Sequence, residues 1–426
     1  MALGRPGGAD ASAAPSRLRP KIAVIGAGPT GLEVARALTE LGLDVLVYEA
    51  GATVGAAFAR FAHVQLFTPW RMNVAEGALA DLAAAGVPCA IDRDLCPTAG
   101  EFVRDYLGAL ARHPRIAPTL RLEHRLLAAG RERALRIDHP RMPQRAESQF
   151  RLLLQDARGH ERIAHADVLV DCTGITQRAA WVGRGGIPAP GETELRAAGR
   201  IEGWLPDIEG DARERLRGRR ILLVGAGYSA ATAAVMLAEL VRESPTTRVE
   251  WVVRHSDPDP IAVVDEDSLS GRAELTRRAN EAARDGGPIR LHRENWVERI
   301  ASARDGVLDV TLSGGARMVF DDLLAMVGYA PDFTTLDGLQ VHLDYATRGP
   351  RKLAQLLRQE DQAGPKRPVA HARAPTPPGP EVLMHPEPDL FVLGHKSFGN
   401  RSDYFFQSGY LQARMLADLL RWRVIG

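Results

Sequence analysis

The chain has 426 residues, more than one hydrophobic core ordinarily serves, so two domains are expected. Its composition is that of a globular protein, 45% apolar and 25% charged, with 54 Lys plus Arg against 53 Asp plus Glu. That balance excludes a general electrostatic attraction to nucleic acid or an anionic membrane, and no apolar run approaches the roughly 20 residues that span a bilayer. A cytoplasmic protein without nucleic-acid or membrane partners is the expectation.

Residues 1–18 read as a flexible leader, rich in small residues and lacking the continuous apolar stretch of a signal peptide. "KIAVIG" then predicts a buried strand, followed by a glycine turn, a helix carrying Val34, Leu38 and Leu41, and a second strand, "DVLVYEA". Strands apolar on both faces predict a parallel sheet covered by helices. Gly26, Gly28 and Gly31 form G-x-G-x-x-G between strand and helix, with Pro29 and Thr30 completing the loop. The first glycine permits the turn, the second admits a pyrophosphate to the backbone, and the third lets helix and strand pack closely. Helix amides beyond them meet the phosphate charge. Glu49, 23 residues after Gly26 and followed by Ala50, stands where a carboxylate accepts both ribose hydroxyls. A carboxylate there disfavours a 2′-phosphate, so this turn suits FAD or NAD; the bland alternative is an ordinary tight turn.

"LFTPWRMNV" follows, and a helix is expected to open near Thr98 or Gly100 with a stripe of Phe102, Val103, Tyr106, Leu107 and Leu110. From Leu120 to about Ala166 four short runs predict a small antiparallel sheet, "ERALRID" among them. "ADVLVDCTG" is a buried strand stopping at a glycine, and the Pro- and Gly-rich stretch 182–192 marks a boundary. A second strand–turn–helix unit follows, "RRILLVGAG", a helix from Ser229 to Val241, and "TRVEWVVRHSD". Its turn is G-x-G-x-x-A: Gly225, Gly227 and Ala230, with Tyr228 and Ser229 between them. Here the second strand ends in Arg254, not in an acid, and an arginine pairs with the oxygens of a 2′-phosphate. NADPH is the favoured occupant, with NADH, or no nucleotide and a merely solvated Arg254, as alternatives. Arg277 and Arg278 lie on a helix from which they reach the same phosphate or simply face water. "FDDLLAMVGYAPD" is another strand ending in glycine, and "LFVLG" precedes a final helix starting near Tyr404 to Gln407.

The three cysteines, Cys89, Cys96 and Cys172, include no C-x-x-C pair, and no spaced histidines or acids suggest a metal; His63 and His385 read as packing or loop residues.

The two glycine turns, "DCTG" (171–174), "VGYAPD" (327–332) and "LFVLG" before the last helix together resemble the two-dinucleotide-binding-domain flavoproteins. The resemblance implies an α/β fold of two Rossmann-like three-layer domains plus a small antiparallel sheet. An FAD-binding domain, 19–178 and 325–426, would be interrupted by an NAD(P)-binding domain, 179–324. It also implies cofactor contacts at Thr173, Gly174, Gly328, Gly394, His395 and Phe405 near the last helix start. The chain departs from the family in three places. It lacks the C-x-x-C of the disulfide reductases, its late G-D appears as Gly394-His395, and its linker does not match the monooxygenase fingerprint F-x-G-x-x-x-H.

Candidates for chemistry are Trp70, Arg71 and Asn73, on a segment that in the family passes beside the flavin, and Lys396 and Ser397 in the loop after "LFVLG". Trp70 and Phe67 are equally compatible with core, and Lys396 with an exposed loop. The leading expectation is an FAD- and NADPH-dependent monooxygenase that oxygenates a nitrogen or sulfur centre of a small molecule through a flavin C4a-hydroperoxide, with molecular oxygen as co-substrate. A reductase or dehydrogenase without oxygen insertion is the first rival, and a non-catalytic nucleotide-binding or redox-sensing protein the second. Monomer and homodimer are both open.

Overall fold

The structure is a computed structural model and describes residues 20–140, 142–303, 306–363 and 379–425. The leader expected at 1–18 lies outside them. Two parallel sheets organise the chain. The first has five strands in the spatial order Leu390–Val392, Val168–Asp171, Lys21–Ile25, Asp44–Tyr48 and Leu120–Arg121. The second has four, in the order Ile289–His292, Arg248–Val252, Arg220–Val224 and Asp322–Ala325, and is inserted in sequence within the first.

Alternation along the central strands explains the layers. Ile22 and Val24 face the helices Pro29–Glu40 and Phe406–Ile425, which pack against each other. Ala23 and Ile25 point the other way, into a core shared with Leu126, Phe150, Leu152 and Leu154 of an antiparallel sheet, Arg125–Arg131, Phe150–Gln155 and Glu161–Ala166. The second sheet repeats the plan. Ile221 and Leu223 face the helix Tyr228–Glu243, while Leu222 and Val224 face the antiparallel strands Val297–Ser302, Leu308–Leu312 and Arg317–Phe320. Each fully buried Val, Ile or Leu contributes about 1.5–3 kcal/mol, so strands buried on both faces supply much of what holds each unit together.

The structure differs from the expectation in three local respects. Leu120–Arg121 pairs in parallel with Val47–Tyr48, extending the first parallel sheet. "ERALRID" is a turn: the Asp138 carboxylate accepts the Leu135 N–H at 2.8 Å and the Leu135 carbonyl accepts the Asp138 N–H, a local pairing that wins over a ladder. The three-stranded sheet spanning 297–320 was not anticipated. The helix expected near Thr98 does open there, on a reciprocal capping box between Thr98 and Glu101.

Candidate functional site

The first glycine turn has the geometry its residues demand. Gly26 has φ +100°, and a Cβ there would lie 2.9 Å from the Cys172 carbonyl oxygen; a Cβ on Gly31 would lie 1.9 Å from the Gly26 oxygen. Gly28, by contrast, faces open space, with nothing within 4 Å of its would-be Cβ. Two glycines are therefore required for packing and the third keeps a space clear, as a pyrophosphate cradle needs. Glu49 is fixed at the end of the second strand, its two oxygens accepting the Ala27 and Gly51 N–H groups, each at 2.8 Å.

These groups line a cavity of about 180 Å³ at the carboxyl ends of the first sheet's strands, where open α/β sheets bind ligands. Of the sequence candidates, Gly26, Gly28, Pro29, Thr30, Glu49, Ala50, Thr173, Gly174, Gly394, His395 and Lys396 line it. Gly31 packs behind it, and Phe406 lines it where Phe405 was expected to. Sequence reasoning passed over Phe58, Phe61, His124, Gln177, Asp332 and Tyr404, which also line the wall. Tyr404 is legible in the sequence only as a candidate start of the last helix, and Asp332 only as the end of "VGYAPD".

His395 and Tyr404 stack nearly parallel, with ring centroids 4.8 Å apart. Tyr404 shares a hydrogen bond with the Thr30 hydroxyl at 3.1 Å, so the segment leading into the last helix is tied to the glycine turn. Desolvation pushes the His395 pKa down to about 4, more than the Arg401 backbone and Asp403 raise it, so its imidazole is neutral at pH 7. Lys396 is buried and donates to Asp171 at 2.6 Å and to the Thr173 hydroxyl at 3.0 Å, over the face of Phe333. The exposed-loop alternative for Lys396 is therefore excluded. Ser397 is enclosed beside it, donating to the Gly394 carbonyl at 2.7 Å and accepting from Gln412.

The three other catalytic candidates stand elsewhere. Trp70 is core, packed on Phe102, and Asn73 is buried and exchanges hydrogen bonds with Thr68. Arg71 is half-exposed, paired with Asp94 at 2.6 Å, and lines a different cleft. Burial and the neighbouring Asp171 carboxylate hold the Cys172 thiol well above its ordinary pKa, which leaves it a poor nucleophile.

The second turn is equally constrained. Gly225 has φ +131° and would place a Cβ 2.1 Å from the Met326 carbonyl oxygen, and the Trp251 indole N–H donates to the Gly225 oxygen at 2.8 Å. The space beside Gly227 is clear, and Ala230 is wholly buried. Tyr228 packs on Phe67 at 5.2 Å, joining this turn to the first unit. Gly328, with φ +84°, lies just past the strand Asp322–Ala325. Arg254 is exposed at the strand end with no ion-pair partner among the described residues. Arg277 pairs with Glu274 and Glu281, and Arg278 with Glu239, so both belong to a solvated helix face. Among the described residues there is no metal-binding cluster, and no helix is long and apolar enough to cross a membrane.

Two glycine turns on two three-layer units give this chain the fold seen in two-dinucleotide-binding-domain flavoproteins. A family profile described as an NAD(P)-binding Rossmann-like domain matches residues 24–80. No curated protein matches. Among solved structures the chain is similar to the bacillithiol disulfide reductase of Bacillus cereus, at TM-score 0.63 and 19% identity over 95% of this chain and 99% of that one. It is also similar to the ornithine hydroxylase of Pseudomonas aeruginosa (0.60, 16%, 95% and 99%) and the thioredoxin reductase of T. acidophilum (0.56, 15%, 96% and 99%). At these identities the likeness is one of fold.

Proposed function

We propose that the chain is an FAD-dependent, NADPH-using oxidoreductase that passes reducing equivalents to a small-molecule acceptor without inserting oxygen. The observation that carries the reading is the difference between the cradles: one ends in Glu49, the other in an unpaired Arg254. FAD fits the first, since Gly28 leaves the phosphate approach clear and Glu49 offers acceptors to a ribose. NADPH fits the second, whose free guanidinium matches a 2′-phosphate. The proposed boundaries are those expected from the sequence, residues 19–178 and 325–426 for FAD and 179–324 for NADPH.

Bound flavin would supply hydride acceptance and onward electron transfer. The protein's own groups do the rest. Amides opening the helix Pro29–Glu40 meet the pyrophosphate. Neutral His395 stands at the position of the family's ribityl-binding aspartate. Phe58, Phe61 and Phe406 give the cavity an aromatic wall that would exclude water around a bound flavin, which strengthens electrostatic contacts there. Cys172 is buried, and no second cysteine lines the cavity among the described residues, so transfer through a protein dithiol has no apparatus here.

That same absence of a thiol, in an aromatic-walled cavity, favours a second reading, oxygen insertion at a nitrogen or sulfur centre. Ornithine hydroxylase and an S-allyl-L-cysteine S-oxygenase from Allium sativum are among the fold neighbours, beside the two kinds of disulfide reductase. The test is to reduce the purified flavoprotein anaerobically with NADPH and then admit oxygen with candidate amines and thioethers. Flavin bleaching followed by release of all the electrons as hydrogen peroxide, with no oxygenated product, supports the first reading. An oxygenated product formed one for one with NADPH establishes the second, and failure to bleach sinks both.

A further inference from the structure

A second cleft, of about 610 Å³, lies between the segment 71–80 and the first turns of the helix Phe406–Ile425. It shares no lining residue with the dinucleotide cavity, yet the two are adjacent through that helix: Phe406 lines the cavity and Gln407 the cleft. Its size falls in the range of small-ligand pockets.

The cleft has an apolar floor and a cationic rim. Val74, Ala75 and Tyr410 are buried beneath it, and the floor is held in place by the Tyr410 hydroxyl donating to the Asn73 carbonyl at 2.6 Å. Arg71, Arg93 and Arg414 stand around the opening against a single lining carboxylate, Glu76, in a chain whose overall charge is nearly zero. Arg93 has no ion-pair partner among the described residues. The other two are paired with side chains that are themselves 84% exposed, Arg71 with Asp94 and Arg414 with Glu76. Exposed pairs of this kind are weak, so both guanidiniums can exchange their partners for a ligand's acid group at little cost, and a bidentate contact to a carboxylate is the stronger bond.

We infer that this cleft is a second small-molecule site, for an apolar carboxylic acid whose chain lies over Val74, Ala75 and Tyr410 and whose carboxylate is held by Arg93 and Arg414. The inference does not depend on which cofactor fills the neighbouring cavity.

Isothermal titration of the full-length protein with decanoate tests it, with decanol as the probe lacking the acid. The expected result is one decanoate site, at least tenfold weaker for decanol and at least tenfold weaker in the double variant Arg93→Ala/Arg414→Ala. Arg93 is exposed and Arg414 half-buried at the surface, so the double variant leaves the melting temperature unchanged, and saturating ADP-ribose, used as a probe of the dinucleotide cavity, does not displace the acid. Absence of decanoate binding, equal binding of acid and alcohol, indifference to the two arginines, or competition by ADP-ribose would each overturn it.

Discussion

Lys396 is where residue-level chemistry departs most from a simple catalytic assignment. Its ammonium and the Asp171 carboxylate form a pair that is almost fully enclosed, with Thr173 completing the network. Removing one member of such a pair leaves a buried charge uncompensated, at about 3–5 kcal/mol. Lys396→Met is therefore expected to lower the unfolding free energy, read from urea denaturation, by that amount, and Asp171→Leu/Lys396→Met to recover much of it. A single variant as stable as the parent would show that the lysine is not held structurally. His395 carries a second residue-scale prediction. Its folded pKa, about 4, lies below its unfolded value, so the unfolded chain binds the extra proton first as pH falls. The stability contributed by the neutral ring is complete above about pH 6.5 and is lost as pH falls through 4. An NMR titration should place the imidazole midpoint near 4, and a midpoint near 6.5 would contradict the stacked, desolvated ring.

The two strand–turn–helix units are the elements that the sequence announced most clearly, because each glycine answers a separate steric demand. Gly26, Gly31 and Gly225 are fixed by contacts or by positive φ, whereas Gly28 and Gly227 have ordinary φ and open space beside them. Gly28→Ala is thus expected to fold normally and lose bound flavin, while Gly227→Ala keeps flavin and loses NADPH binding. Visible absorbance and nucleotide titration of the two variants check this, and equal loss of both ligands in either one would contradict independent cradles. Glu49 and Arg254 were legible for the same reason, since they follow directly from strand ends in fixed register. The rest of the cavity wall was not. Phe58 and Phe61 come from the short 3-10 helix Ala56–Phe61, and Gln177 and Tyr404 from loops, all of whose approach depends on long-range packing, and "ERALRID" had a strand's alternation but a turn's local hydrogen bonds. Trp70 and Asn73 sat in a suggestive segment, and burial of one and pairing of the other with Thr68 show how a motif-rich stretch can serve packing.

At the scale of the whole molecule, two copies of one three-layer plan face each other through Phe67 on Tyr228 and Phe61 on Trp204. The copies differ in the charge that closes each cradle, an acid in one and a free arginine in the other. That difference predicts a division of labour, a retained flavin and a visiting NADPH. The most direct test is anaerobic stopped-flow reduction of the flavin-loaded protein by NADPH and by NADH, in the parent and in Arg254→Ala. A charge-assisted contact worth about 1.5–3 kcal/mol predicts that the variant loses roughly 10- to 150-fold in apparent NADPH affinity while NADH is unaffected. Equal affinity for the two nucleotides in the parent, or an NADPH affinity indifferent to Arg254, would contradict the assignment of the second cradle.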